Sequence, residues 1–260
     1  MDEAFYIGSH PASEFGAQLL ASYTVGGSAL TRSYAVSRTG SHITPCATQY
    51  GLRSITLPVD IYGDTPEDAS AKHSALTAAL LESPVELYLP DGGIYTALLE
   101  DPGKRTVWDD AGCCLSCTYT LSGYKHGPLD TVITRVGQDD QLLFFAAGNA
   151  PQMECRILTK ASGPDVPDVP VQTSTEPSSF DAVVRYPDGG SCTIHGVKSG
   201  DVLLVDGIEK QVLVNGQNAF RSVTAISGWP VVTPGENRIA FHDLDMTDFE
   251  YTIEYYPIFV

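Results

Sequence analysis

Three cysteines fall together at Cys113, Cys114 and Cys117, a spacing that suits a soft metal ion. A structural zinc site pairs such a cluster with a second pair of Cys or His further along the chain, and no such pair follows here. Cys113, Leu115, Cys117, Tyr119 and Leu121 also alternate as one face of a strand, where thiols serve as small core residues; packing is the expected role. Asp243, Asp245 and Asp248 cluster between two strands, and oxygen ligands on a turn suit a hard cation such as calcium. The calcium loop of the helix–loop–helix type needs a Gly and a distal Glu that the sequence does not place there. No metal ligand is therefore assigned to either cluster.

The remaining chemistry is equally sparse. His10, His42, His73, His126, His195 and His242 are scattered without metal spacing. There is no Gly-x-Ser-x-Gly elbow, His-Glu-x-x-His, Walker loop or Gly-x-Gly-x-x-Gly. With 32 acids in the chain, some pair falls close by chance, so a glycoside hydrolase's paired carboxylates cannot be read from sequence. Trp108, Trp229, Tyr255 and Tyr256 are candidates for a sugar-stacking platform, with core packing as their competing role. No catalytic residue, cofactor-binding residue or cofactor is assigned.

The elements that must carry these residues are strands. Ile55, Leu57, Val59 and Ile61 alternate with Thr56, Pro58, Asp60 and Tyr62, the period-two signature of a half-buried strand. Pro58 lacks an N–H, which predicts an edge or a bulge there. Val85–Leu89, Ile94–Leu99 and Cys113–Ser122 repeat the pattern. One helix is predicted over residues 65–83: Thr65 caps it, Pro66 suits its first turn, and Glu67 and Asp68 favour its positive end. Its stripe of Ala69, Leu76, Ala79 and Leu80 must lie on a sheet face. A polar, turn-rich stretch from Gly123 to Asp130 marks a boundary between domains 1–128 and 129–260. Ten short strands follow it, with turns such as Asp188-Gly189-Gly190, Asp206-Gly207 and Asn215-Gly216. Asp206-Gly207 reads as a two-residue hairpin, and the whole as a β-sandwich or jelly roll. Residues 161–179, with Pro164, Pro167, Pro170 and Pro177, read as a long exposed loop.

The 260 residues are 43% hydrophobic and only 18% charged, enough for a real core. The longest apolar run, Leu142–Ala147, is far short of the roughly 20 residues that cross a bilayer. The acidic start Met1-Asp2-Glu3 is unlike a signal peptide. With 32 acids against 15 bases the net charge is −17, which repels phosphate; neither sequence-specific nucleic-acid binding nor membrane insertion is expected.

The most informative residues come late. Gly200-Asp201-Val202-Leu203-Leu204-Val205-Asp206-Gly207 is followed by Val214-Asn215-Gly216. Then come Trp229-Pro230, Pro234-Gly235-Glu236-Asn237, and the aromatic strand Thr252-Ile253-Glu254-Tyr255-Tyr256-Pro257. This order resembles the distal tail protein (Dit) family of long-tailed, non-contractile bacteriophages. The first half, with its strands and single helix, is consistent with the same family, although the exit Ser122-Gly123-Tyr124-Lys125 lacks the Asp-Pro of the family pattern. The resemblance implies a mainly β protein, with an N-terminal belt domain carrying one helix on its sheet and a C-terminal galectin-like β-sandwich. It implies a virion structural protein, not an enzyme, made in the host cytoplasm: a homo-hexameric hub ring in the baseplate at the end of the tail. The implied partners are the tail tube protein, the tail-tip or tail-associated lysin protein, and a receptor-binding protein or host surface sugar. Two other functions stay open on the residues alone, a lectin-like carbohydrate-binding module and, more weakly, a glycoside hydrolase.

Overall fold

The computed structural model describes residues 5–36, 38, 43–82, 84–136, 141–161, 179–241 and 249–260. The chain divides into two compact units, Met1–His126 with Phe259–Val260, and Gly127–Ile258.

The first unit contains β1 (Tyr6–Ile7), β2 (His10–Pro11), β3 (Ala17–Leu19), β4 (Thr24–Val36), β5 (Ile43–Tyr62), α1 (Pro66–Leu81), β6 (Val85–Tyr88), β7 (Ile94–Asp101), β8 (Thr106–Val107) and β9 (Cys114–His126). They form one antiparallel sheet in the order β2-β1-β6-β7-β9-β5-β3, with β4 added to β5 and β8 to β9. The alternation of β5 is used as written: Ile55, Leu57, Val59 and Ile61 are buried, beside Leu115, Cys117, Tyr119 and Leu121 of β9. Ala69, Leu76 and Leu80 of α1 join the same core. Each such aliphatic side chain contributes about 1.5–3 kcal/mol by leaving water.

Local chemistry fixes the helix ends. The Thr65 hydroxyl accepts from the Asp68 N–H at 3.1 Å, and the Asp68 carboxylate reaches back to the Asp64 N–H at 2.9 Å. This reciprocal arrangement satisfies two donors that no helical carbonyl can reach. Thr65 is therefore the cap and not part of the helix. At the other end Glu82 already has extended geometry, and Ser83 lies outside the described residues.

Pro58 sits at neither an edge nor a bulge. Its carbonyl accepts from Leu20 on the side facing β3 and β4. Pairing on that side jumps from Leu19↔Val59 in β3 to Thr24↔Thr56 in β4. The missing N–H points into this gap, so no ladder bond is lost. Gly123 is another departure, because β9 runs straight through it to His126. A Cβ on Gly123 would stand 2.6 Å from the Thr96 carbonyl oxygen of β7, so the glycine permits close strand approach and does not mark a turn.

The second unit contains β10 (Asp130–Val136), β11 (Gln141–Ala146), β12 (Met153–Lys160), β13 (Phe180–Arg185), β14 (Ser191–Val197), β15 (Val202–Asp206), β16 (Gln211–Val214), β17 (Gln217–Asn218), β18 (Val223–Ile226), β19 (Val231–Val232), β20 (Gly235–Ala240) and β21 (Phe249–Tyr255). The largest sheet runs β10-β21-β12-β15-β16-β17, with β19 on β12. Smaller sheets are β11-β20 and β13-β14-β18. Ile253, Ile157, Val205 and Val212 lie side by side across four strands, all buried. The buried Tyr251 hydroxyl donates to the Arg185 carbonyl at 2.7 Å. Residues 162–178, most of the Pro-rich stretch, lie outside the described residues.

Three turns show how the late motifs work. Asn215 and Gly216 have φ of 51° and 76° between the paired Val214 and Gln217, a hairpin turn that needs left-handed geometry at both positions. Asp206-Gly207 is different: Asp206 pairs with Gln211, leaving a four-residue connection. The buried Asp206 carboxylate accepts from the N–H groups of Ile208 and Glu209 and lies 3.0 Å from the Arg156 Nε, so it organises the turn from inside. Gly207 is required because a Cβ would stand 2.6 Å from the Pro230 carbonyl oxygen. In Pro234-Gly235-x-Asn237, Gly235 takes φ 90°. Asn237, only 4% exposed, accepts from the Thr233 N–H at 2.9 Å and donates to the Thr233 and Gly235 carbonyls at 2.7 and 3.0 Å.

Candidate assembly interface

Among the described residues, those with chemical potential do not converge. Cys113 lies in the turn before β9, Cys114 opens that strand, and Cys117 is buried with its thiol directed at the Pro102 carbonyl. Burial pushes the Cys114 and Cys117 thiols above their ordinary value, and Asp109 pushes Cys114 further. All six cysteines are free. Among the described residues no group of three or more His, Cys, Asp or Glu side chains is placed to hold a metal ion. Asp243, Asp245, Asp248, His42 and His242 lie outside the described residues. His10 pairs with Glu14, His195 with Asp181, and His126 is buried against Thr96. His73 stacks on Tyr119, its Nε2 buried without a hydrogen-bond partner. Burial, then the charge of Arg105, pulls its pKa below the ordinary histidine value.

The aromatic candidates separate as well. Tyr255 is buried, bonded to Asp130 at 2.7 Å and to the Ala147 N–H at 2.9 Å, and its pKa is pushed up to about 12, mainly by burial. It is thus no part of a surface platform. Trp229 is stacked against Phe220 with Lys210 over its ring. Trp108 belongs to the first unit and is 56% exposed.

What the first unit offers instead is exposed apolar surface on an extended pair of strands. Strand β5 pairs with β9 only from Arg53 to Tyr62, whereas β4 follows it all the way to Ile43. Residues 28–36 and 43–52 therefore form a two-stranded arm beyond the sheet, about 30 Å long at ~3.3 Å per residue. Register shifts at Val25/Ser28, Ser28/Leu30 and Ser33/Tyr34 bend and twist it. Leu30, Tyr34, Val36, Ile43, Tyr50 and Leu52 are all exposed on it, Tyr34 by 63% and Ile43 by 62%. A lone two-stranded ribbon with no covered face is at best marginally stable in water. This arm escapes a period-two reading because its described side chains leave neither face buried, so apolar and polar residues need not alternate. A compositional signal was present nonetheless. Residues 15–59 contain no Asp or Glu and three Arg (Arg32, Arg38, Arg53), which leaves −20 on the other 215 residues.

At its other end β5 finishes in a patch of opposite character. Tyr62 packs edge-on against Trp108 at 6.2 Å between centroids, and Val107 is exposed beside it. The turn carrying Trp108 is held by Asp109, which accepts from the N–H groups of Cys113 and Cys114 at 3.0 and 2.8 Å. Those bonds hold the Asp109 carboxyl below the usual range. Asp60, Asp64, Glu67, Asp68 and Asp110 belong to the same segments. Of the nearby cations, Lys72 is engaged by Asp68 at 2.8 Å and Arg105 by the Ser70 hydroxyl, while Lys104 is exposed.

Comparison with known proteins fits this picture. Residues 168–258 match the family described as siphovirus-type tail component, C-terminal domain. The solved structure of the Dit protein of phage SPP1, described as a paradigm of the hub adsorption apparatus in phages infecting Gram-positive bacteria, is 14% identical. It aligns over 98% of this chain and 99% of its own with a TM-score of 0.64. Chains of the phage P2 baseplate in its activated conformation, solved with calcium and with strontium, are 10% and 11% identical. Each covers 96% of this chain and 97% of its own, with TM-scores of 0.54 and 0.53. A comparison with curated proteins gave no match. The resemblance carried by the late turn motifs is thus borne out: residues 168–258 match the siphovirus-type tail component family, and the chain has the fold of the SPP1 Dit protein.

Proposed function

We propose that the chain forms a closed hexameric ring at the distal end of a phage tail, joining the tail tube to the tail-tip apparatus. In this reading residues 1–128 are the belt that closes the ring. Residues 129–260 form an outward, galectin-like β-sandwich with the Pro-rich loop 161–179. The tube protein binds one face of the ring, and a tail-tip or tail-associated lysin protein binds the other. A receptor-binding protein attaches at the periphery. The work of such a part is attachment, and no residue is assigned to catalysis.

The observation that carries this reading is the extended arm, which has no core of its own, on a chain that shares the SPP1 Dit fold from end to end. A ring repeats one heterologous contact until it closes, and an element that reaches beyond its own sheet is suited to that contact. The test is the mass of the purified full chain by mass photometry across a concentration series. A species six times the 27.9 kDa chain mass supports the reading. A monomer at every concentration, also beside tail-tube protein, contradicts it.

A further inference from the structure

We infer that the ring contact is a polarised, head-to-tail clasp. The carboxylate-free arm of one copy docks on the acidic aromatic patch around Tyr62 and Trp108 of the next. This rests on the ring reading above and adds to it which two surfaces meet.

The argument begins with what a closing ring demands. A heterologous interface uses two different patches on each subunit, and they must complement one another. Among the exposed apolar patches of the first unit, two lie near opposite ends of the 20-residue strand β5, which spans up to about 60 Å at ~3.3 Å per residue. The arm end carries Leu30, Tyr34, Val36 and Ile43 with Arg32 and Arg38, and no carboxylate anywhere from residue 15 to 59. The far end carries Tyr62, Val107 and Trp108 among Asp64, Glu67, Asp109 and Asp110.

In a chain of net charge −17, two copies repel each other over most of their surfaces. The arm is the stretch from which every negative charge is missing, so it can approach another copy without that penalty. Arginine beside exposed aromatic and aliphatic side chains is also the composition of an interface centre, and opposite charge fixes which surfaces meet. Arg53 plays a different part. It donates to the carbonyls of Gly26 and Phe259 at 3.3 and 3.1 Å, anchoring the arm's base.

The acidic patch is preset for a partner. Asp109 spends its oxygens on backbone N–H groups and so fixes the turn that presents Trp108. Asp64 and Asp110, both exposed on the same segments, are the carboxylates placed to meet a guanidinium.

The experiment uses two full-length variants, each with one end disabled: an arm variant, R32E/Y34A, and a patch variant, W108A/D110K. All four positions are exposed, and circular dichroism checks that both chains fold. Alone, each variant loses the ring, its self-association weakened at least about 30-fold, the effect of losing one central anchor. Mixed, the two retain one intact pairing, the patch variant's arm on the arm variant's patch. Sedimentation velocity then shows a 1:1 heterodimer that grows no further and weakens as salt rises. If the wild type forms rings while the mixed variants remain monomers, or if either variant alone still closes a ring, the clasp is wrong and the ring reading stands. A wild type that never associates overturns both.

Discussion

Asn237 is the sharpest test of how the late sequence motif acts. It is buried, and its amide makes four hydrogen bonds, one of them long, that fasten Thr233 and Gly235 across the Pro234-Gly235 turn. Each such bond contributes about 0.5–1.5 kcal/mol net, so Asn237→Ala should destabilise the second unit by about 2–3 kcal/mol. With a urea slope of about 1–3 kcal/mol/M for a unit of this size, the midpoint falls by roughly 1 M. Trp229 reports this unit if Trp108 is first replaced by Phe, since these are the two tryptophans of the chain. Asn237→Asp sharpens the test. It keeps the acceptor facing the Thr233 N–H but aims a carboxylate at two carbonyl oxygens, which raises its folded-state pKa above the ordinary ~3.9. The folded form then holds that proton more tightly than the unfolded form, so stability falls as pH rises through and above ~4. Relative to the wild type, N237D should be worst at pH 7 and recover towards pH 4.5, while N237A shows no such recovery. A midpoint shift under about 0.2 M for N237A, or a pH-independent cost for N237D, would refute the assignment of the motif as a side-chain staple.

Two further outcomes follow from the first unit. Leu76→Ala empties a fully buried site between α1 and the sheet and should cost about 2–5 kcal/mol; an unchanged melting temperature in calorimetry would show that the helix is not packed there. Burial and Arg105 hold His73 below the ordinary histidine pKa, so the folded state binds its proton less tightly than the unfolded one. Stability of the first unit, followed by Trp108 fluorescence, should therefore decline as pH falls through about 6.5. His73→Gln should flatten that decline, and an equally steep profile in the variant would count against the assignment.

The sequence was most legible where one face of an element is buried. Ile55–Ile61 shows its alternation because the even positions face away from the core, and α1 shows its start because Thr65, Pro66 and Asp68 each do a job only a helix end needs. The arm was illegible for the opposite reason: Leu30, Tyr34, Ile43 and Tyr50 have no buried face in this chain to impose a period. Its mark lies in charge, the missing carboxylates, which a strand-by-strand reading passes over. Asp206-Gly207 misled because the same dipeptide serves a two-residue hairpin and a four-residue turn, and only the burial of Asp206 over two N–H groups separates them. Gly123 misled likewise, since a glycine chosen for close strand approach reads in sequence as a turn. Tyr255 and Trp229 show why aromatics alone do not define a sugar site: one is buried to bridge Asp130 and Ala147, and the other is stacked on Phe220.

Imaging the distal end of the assembled tail by electron cryo-microscopy tests the central claim most directly. The account predicts a sixfold ring there whose density fits this chain, with its first units clasped around the tail axis. A tail end whose density is fully explained by other proteins, with this chain absent from purified virions by mass spectrometry, would contradict it.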